Sequence, residues 1–302
     1  ALGGTSLSLF FATDLFLVWL VWQTGEKKTV AVLSIASIIW LLQRVVLTSL
    51  QSGFAVSYSE TLTGQGANNS KSLVQTSLFL ATMLGLLVGL ITMVSIELTL
   101  EDPDQVSLHN LLFLSALRLP FVGISLICTA VLRCENRNFT AFVVNFIDSA
   151  ALCGASFLLL ELFSFGVTSI GTSMVISSAL SYYCSIYPLR LSGLHRLRAH
   201  ASIHEAKTVL VKSFAFFSAA AIQPLVKAAL YLTLIQYGDV VISTVYTCEK
   251  ILTLIYAPTH SFPFSLSPLI GQRSEARRVG TGRRSRWSPD HETQTEYAYT
   301  IC

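Results

Sequence analysis

Residues 53–65, GFAVSYSETLTGQ, return in outline at residues 261–272, SFPFSLSPLIGQ. Phe54, Ser57 and Ser59 match Phe262, Ser265 and Ser267 at one constant offset of 208, and Gly-Gln closes both copies after a single deletion. Each copy ends an apolar stretch, and the offset equals six such stretches of this chain. A repeat of that length predicts a six-plus-six architecture, of which the chain holds the first six helices and the first two of a second set. Repeats of this sort place the substrate site between the halves, near the middle of a bilayer.

Composition agrees. The chain of 302 residues is 52% hydrophobic and 12% charged, with mean hydropathy +0.61, outside the range of soluble domains. About 20 mostly apolar residues span the hydrocarbon. Eight stretches qualify, at about 5–23, 30–58, 73–96, 108–132, 139–163, 167–189, 208–237 and 240–270. The fold class expected is therefore an all-α polytopic membrane protein with about eight transmembrane helices. Its parts are a six-helix N-terminal lobe (1–190), an inter-lobe loop (191–207), the first two helices of a C-terminal lobe (208–272) and a tail (273–302). The chain begins at Ala1 without a Met or a readable signal peptide, which leaves room for residues upstream.

Loop charges orient the helices. Residues 190–207, RLSGLHRLRAHASIHEAK, are basic, and Arg133 and Arg137 mark another basic turn, so both loops are expected in the cytoplasm. ELTLEDPDQ (97–105) carries four acids and no base, which suits the outer side; Lys27 and Lys28 run against the scheme. The N-terminus is read as cytoplasmic, in a plasma or inner membrane. The six cysteines show no metal-ligand spacing and no disulfide framework, so packing is their expected role. Asn68 and Asn138 match the glycosylation pattern but fall in loops placed in the cytoplasm.

Ionisable groups at membrane depth are functional candidates. Asp14 lies mid-helix in FFATDLFLVW, and Asp148 follows Asn145 by three residues in FVVNFIDSAAL, which puts that pair on one helical face. Such oxygens could hold a sodium ion or share a proton. Alternatively, Asp14 caps a kink and Asp148 pairs with Arg118 or Arg44. Lys212 is expected to snorkel from a helix end, while Lys227, Glu249 and Lys250 are candidates for a central cavity.

Several segments resemble the multidrug and toxic compound extrusion (MATE) transporters: SGFAVSYSETLTGQGANNSK at the exit of the second stretch, LSALRLPFVGISLICTAVLRCENRN with Pro120 inside it, and the small-residue run GVTSIGTSMVISSALSYY. The resemblance implies a cation-coupling site at Asp14, Asn145 and Asp148. Two positions depart from it: the Asn-to-Asp spacing is one residue short, and Met174 stands where a Thr completes a sodium shell. A thioether is a poor ligand for a hard cation. Thr172 and Ser173 are possible substitutes, the loss tilts the expectation from sodium toward protons, and Gln223 replaces a Glu that some relatives use. Glu249 is a further accessory candidate.

The function implied is secondary antiport, exporting organic, chiefly cationic, compounds against protons or sodium, with no cofactor, no metal beyond that possible sodium, and no enzymatic activity. The partners expected are the small organic substrate and membrane lipid, with no nucleic acid, and the protein is expected to be a monomer. The alternative is a flippase for lipid-linked oligosaccharide or polysaccharide in the same superfamily. A membrane enzyme or receptor finds no support, because no HExxH, Ser/Lys pair or His cluster appears in a helix. Beyond Gln272, RSEARRVGTGRRSRWSPDH packs six arginines into nineteen residues. It is similar to one translated frame of a sequencing-library adapter, so residues 273–302 are expected to be non-native or disordered, and the natural chain is expected to continue into further helices.

Overall fold

A computed structural model describes residues 2–23, 27–64, 67–99, 106–161, 166, 168–191 and 202–255. The second copy of the repeat, at 261–272, and the arginine-rich tail lie outside the described residues. Ten α-helices follow in order: α1 (Leu2–Gln23), α2 (Lys27–Gly64), α3 (Ala67–Thr99), α4 (Val106–Leu117), α5 (Leu119–Cys134), α6 (Asn138–Glu161), α7 (Thr168–Leu191), α8 (Ile203–Ala220), α9 (Ile222–Leu234) and α10 (Asp239–Ile255). No strand occurs among the described residues. The chain is an integral, multi-pass membrane protein.

One of the eight apolar stretches is a broken helix, and another carries a one-residue interruption. The stretch read at 108–132 bends by 41° between α4 and α5. Pro120 lacks the N–H that would continue the ladder, and its ring crowds the carbonyl four residues earlier, so the helix restarts around it. Pro120 then occupies the first turn of α5, where a missing donor is harmless. The stretch at 208–237 divides into α8 and α9 at Ala221, with Pro224 in the first turn of α9. A 3₁₀ turn, Ile235–Tyr237, and Gly238 at φ +87° then turn the chain into α10.

By length and apolarity, Val30–Leu62, Ser70–Glu97, Asn138–Glu161 and Ile203–Leu234 are long enough to cross a membrane, and the bent α4–α5 pair makes a fifth span. α7 is as long as α6 but richer in hydroxyls, which lowers its apolarity while its serines stay buried. Ser169, Ser173, Ser177, Ser178, Ser181 and Ser185 are buried, and Ser173 and Ser185 donate to the carbonyls of Ser169 and Tyr182 at 2.6 and 2.9 Å. The lipid-facing side of α3 is apolar, with Leu86, Leu87, Leu90 and Ile91 exposed.

α2 is the hub, packing on α3, α5, α8 and α10, while α6 packs between α1 and α7. At its 38 residues it is about 57 Å long by the rise of an α-helix. One core cluster joins Leu33 and Ala36 of α2 to Leu17, Leu111, Ile170, Tyr231 and Ile242; a second joins Leu50, Phe54 and Tyr58 to Leu78, Ile127, Leu189 and Val209. α2 and α8 meet backbone to backbone at Gly53. A Cβ there would lie 2.2 Å from Ser213 Oγ and 2.5 Å from the Ser213 backbone nitrogen. Only a residue without a side chain permits that crossing.

Candidate functional site

Asp14 sits on α1 facing α10, and Lys250 Nζ donates to its Oδ2 at 2.6 Å. Both side chains are largely withdrawn from solvent, at 22% and 15% exposure. Lys250 also stands 5.1 Å from the Tyr246 ring centroid, a cation–π contact that helps hold an ammonium in a dry place. One residue earlier on α10, Glu249 turns the other way by the 100° helical step. It accepts from Lys227 of α9 and from the Tyr231 hydroxyl at 3.3 Å. The adjacent acid and base on α10 thus serve two different pairs.

Behind Asp14 lies a second set of charges. The buried Arg44 guanidinium on α2 has Asp14 and Asp148 as electrostatic neighbours. Arg118, in the break between α4 and α5, has Asp148, Arg44 and Asp14 as its neighbours. Its guanidinium carbon is 5.9 Å from the Trp40 ring centroid. Asp148 is largely buried on α6 beside Arg118, Arg44 and Ser177. Asp14 and Asp148 are therefore linked through two arginines, with Lys250 closing the far side. With the adjoining Lys227–Glu249 pair counted, four cations meet three carboxylates.

The expected site residues are spread over α1, α6, α7, α9 and α10. Asp14 and Asp148 share Arg44 and Arg118 as electrostatic neighbours. Asn145 lies partly buried one turn before Asp148 on α6. Thr172 and Ser173 on α7 direct their hydroxyl protons to the carbonyls of Thr168 and Ser169 at 3.0 and 2.6 Å, and Met174 is buried in the first core cluster. Gln223 is exposed on α9. Among the described residues no group of three or more His, Cys, Asp and Glu side chains is placed to hold a metal ion.

Sequence reasoning named Arg44 and Arg118 only as possible neutralisers, and it missed Lys250 as the partner of Asp14 and Trp40 as a neighbour of Arg118. The one available signal was that Lys250 is an ionisable residue inside an apolar stretch. Lys212, expected to snorkel, instead ion-pairs with Glu60 of α2, next to the Gly53–Ser213 crossing. Nearby, the Ser202 side chain caps α8, and Glu205 in its first turn accepts from Ser72 Oγ and Thr76 Oγ1, each at 2.9 Å. α8 is thereby tied to both α2 and α3.

No protein-family model matches the chain, and no curated protein matches it by sequence. Its architecture does have solved counterparts. It superposes with a TM-score of 0.78 on a ligand-bound MATE multidrug transporter, DinF-BH, at 16% identity, covering 94% of this chain and 66% of that one. A MATE family multidrug resistance transporter of the MOP superfamily, in an outward-facing conformation, gives 0.78 at 13% identity, covering 93% and 66%. A MOP superfamily transporter from Pyrococcus furiosus, described by the reverse polarity of its binding pocket, gives 0.73 at 13%, covering 93% and 65%. The chain spans about two thirds of the length of these proteins. The class defined by the helices and their connections is an all-α polytopic membrane bundle. The likeness is one of fold, shared with these solved MATE and MOP superfamily structures.

Proposed function

We propose that this protein is a secondary active transporter that moves an organic compound across the membrane by rocking two helical units against each other, driven by a cation taken up at Asp14. One observation carries this reading: Asp14, 22% exposed within the apolar helix α1, is ion-paired to Lys250 on α10, a helix the repeat assigns to the other half. A proton arriving at Asp14 would remove the charge that holds Lys250, so uptake of the coupling ion and separation of α1 from α10 become one event. The cation must favour one conformation over the other to drive transport, and a contact present in only one of them supplies that difference. Protons suit the site better than sodium, because a sodium ion would compete with Lys250 for the same carboxylate and Met174 offers it no hard ligand.

The expected orientation, with the N-terminus in the cytoplasm, places the Glu60–Lys212 pair and the Gly53–Ser213 crossing at the cytoplasmic end. That end is then the closed one. An organic cation was the cargo implied by the resemblance, yet the buried centre already holds more cations than carboxylates. This favours the second reading, a flippase-like transporter of phosphate-bearing, lipid-linked sugar, for which Arg44 and Arg118 are suitable partners. The coupling reading is tested in vesicles carrying the protein under an imposed proton or sodium gradient. Asp14→Asn keeps the shape, removes the titratable group, and is expected to abolish gradient-driven transport while substrate binding persists. Gradient-driven transport at the normal rate by that variant would move the coupling site elsewhere, with Glu249 the next candidate.

A further inference from the structure

The turn between α5 and α6 holds a charge without a counter-charge. Arg133, in the last turn of α5, is densely surrounded and only partly open, and among the described residues it makes no hydrogen bond or ion pair. Its one electrostatic neighbour is the Cys134 thiol. Glu135, the acid in the same turn, instead accepts from the Tyr58 hydroxyl of α2 at 3.1 Å. Nor is Arg133 needed to cap its own helix: the carbonyls of Val131, Leu132 and Arg133 already accept from the backbone N–H groups of Glu135, Arg137 and Asn136 at 2.9, 2.7 and 3.1 Å. The side of α5 it occupies follows from its neighbours. Gly123 backs onto Ala81 of α3, Ser125 and Phe121 meet Ser181 and Tyr182 of α7, and Cys134 meets Ser59 of α2. By the 100° helical step Arg133 falls on the remaining side, the one left to α6. An uncompensated charge in so dense a place is costly.

α6 supplies donors at the same place. Asn136, at φ +60°, reverses the chain, and the first backbone bond of α6 runs from Ala141 N to the Arg137 carbonyl at 3.2 Å. The N–H groups of Asn138, Phe139 and Thr140 therefore have no carbonyl within the helix, and no acid stands in that first turn. A helix N-terminus flanked by the exposed Arg137 and the half-buried Arg133 suits a phosphate. Along α6 the surface then changes character. Phe139 and Phe146 are 68% and 50% exposed, and Phe142 lies between them on the same stripe, 6.3 Å from Phe146 by ring centroids. α6 is apolar and long enough to cross a membrane. A phosphate dissolved in water has no use for that stripe, whereas the acyl chain of a lipid does. We propose that the α5–α6 turn binds an anionic phospholipid, with the phosphate held by Arg133, Arg137 and the first N–H groups of α6, and an acyl chain lying along Phe139, Phe142 and Phe146. A basic turn expected in the cytoplasm faces the leaflet that carries anionic lipid.

The purified chain in a neutral detergent is titrated with dioleoyl phosphatidylglycerol and, separately, with dioleoyl phosphatidylcholine; bound lipid is counted by native mass spectrometry and stability is followed by thermal unfolding. One phosphatidylglycerol is expected to bind about ten-fold or more tightly than phosphatidylcholine and to raise the unfolding temperature. Arg133→Gln should weaken that binding about ten-fold and Arg137→Gln about five-fold. Because Arg133 has no partner among the described residues, Arg133→Gln should unfold at the wild-type temperature without lipid and gain nothing from phosphatidylglycerol. The control is Arg190→Gln, which changes an exposed arginine at the end of α7, on the side expected to be the same, and should leave binding within about two-fold. Equal affinity for the two lipids, no loss in either turn variant, or an equal loss in Arg190→Gln overturns the site. Displacement of the lipid by an equal concentration of glycerol 3-phosphate would assign the turn to a free phosphate and overturns the acyl-chain stripe. A lower lipid-free unfolding temperature for Arg133→Gln overturns the unpaired guanidinium on which the site rests.

Discussion

The contact between α2 and α8 is sharp enough to predict what one methyl group does. In Gly53→Ala the new Cβ would lie 2.5 Å from the Ser213 backbone nitrogen and 2.8 Å from its Cα. Carbon sits comfortably at about 3.5 Å or more from such atoms, so the two helices must part by roughly 1 Å. Overpacking of this kind costs about 1–3 kcal/mol. If the crossing belongs to only one transport conformation, about 2 kcal/mol shifts the balance between conformations by roughly 30-fold toward the state in which this end is open. The assay is the rate at which a membrane-impermeant maleimide modifies a cysteine introduced at the buried Ser57, one turn along α2, in a background lacking other reactive thiols. Gly53→Ala should raise that rate at least ten-fold. The second variant discriminates further: Gly53→Ala with Ser213→Gly removes the hydroxyl but leaves the backbone atoms, so it should not restore protection. An unchanged rate in the first variant, or full restoration in the second, refutes the argument that the backbones themselves meet.

Lys250→Gln should destabilise the fold by about 1–2 kcal/mol, less than the loss of a fully buried pair, since Asp14 is 22% exposed and keeps Arg44 as a neighbour; thermal unfolding in detergent measures it, and Asp14→Asn in the same chain should recover most of the loss. The Glu60–Lys212 pair is partly exposed, at 28% and 27%, so a double-mutant cycle with Gln and Met should find a coupling of only about 1 kcal/mol, falling as salt is raised. Ser202→Ala removes the side-chain cap of α8 and should cost about 1 kcal/mol, read as faster amide hydrogen exchange over residues 203–206.

The membrane class and the positions of the apolar stretches could be read from the sequence, because burial in lipid imposes a length and an apolarity that composition records directly. The sequence reading runs through the interruptions near Pro120 and Pro224 as single stretches, and Pro188 lies inside α7 without breaking it, so a proline alone does not decide where a helix divides. The intramembrane acids were visible: Asp14 and Asp148 stand out against apolar neighbours whatever surrounds them in space. Their partners were not visible. Asp14 meets Lys250 across more than two hundred residues of chain, and nothing in the spacing of either stretch selects that pair over Lys227 or Arg44. The 100° step between Glu249 and Lys250 decides which of them faces α1, and that step becomes informative only once α10 is docked. Gly53 likewise reads as an ordinary small residue in a small-residue run until Ser213 arrives against it. Sequence alone determined which groups would be buried in a bilayer and therefore had to be satisfied. The tertiary structure decided with which partners they are satisfied, and which of them are left open, because those distances depend on how separate helices pack.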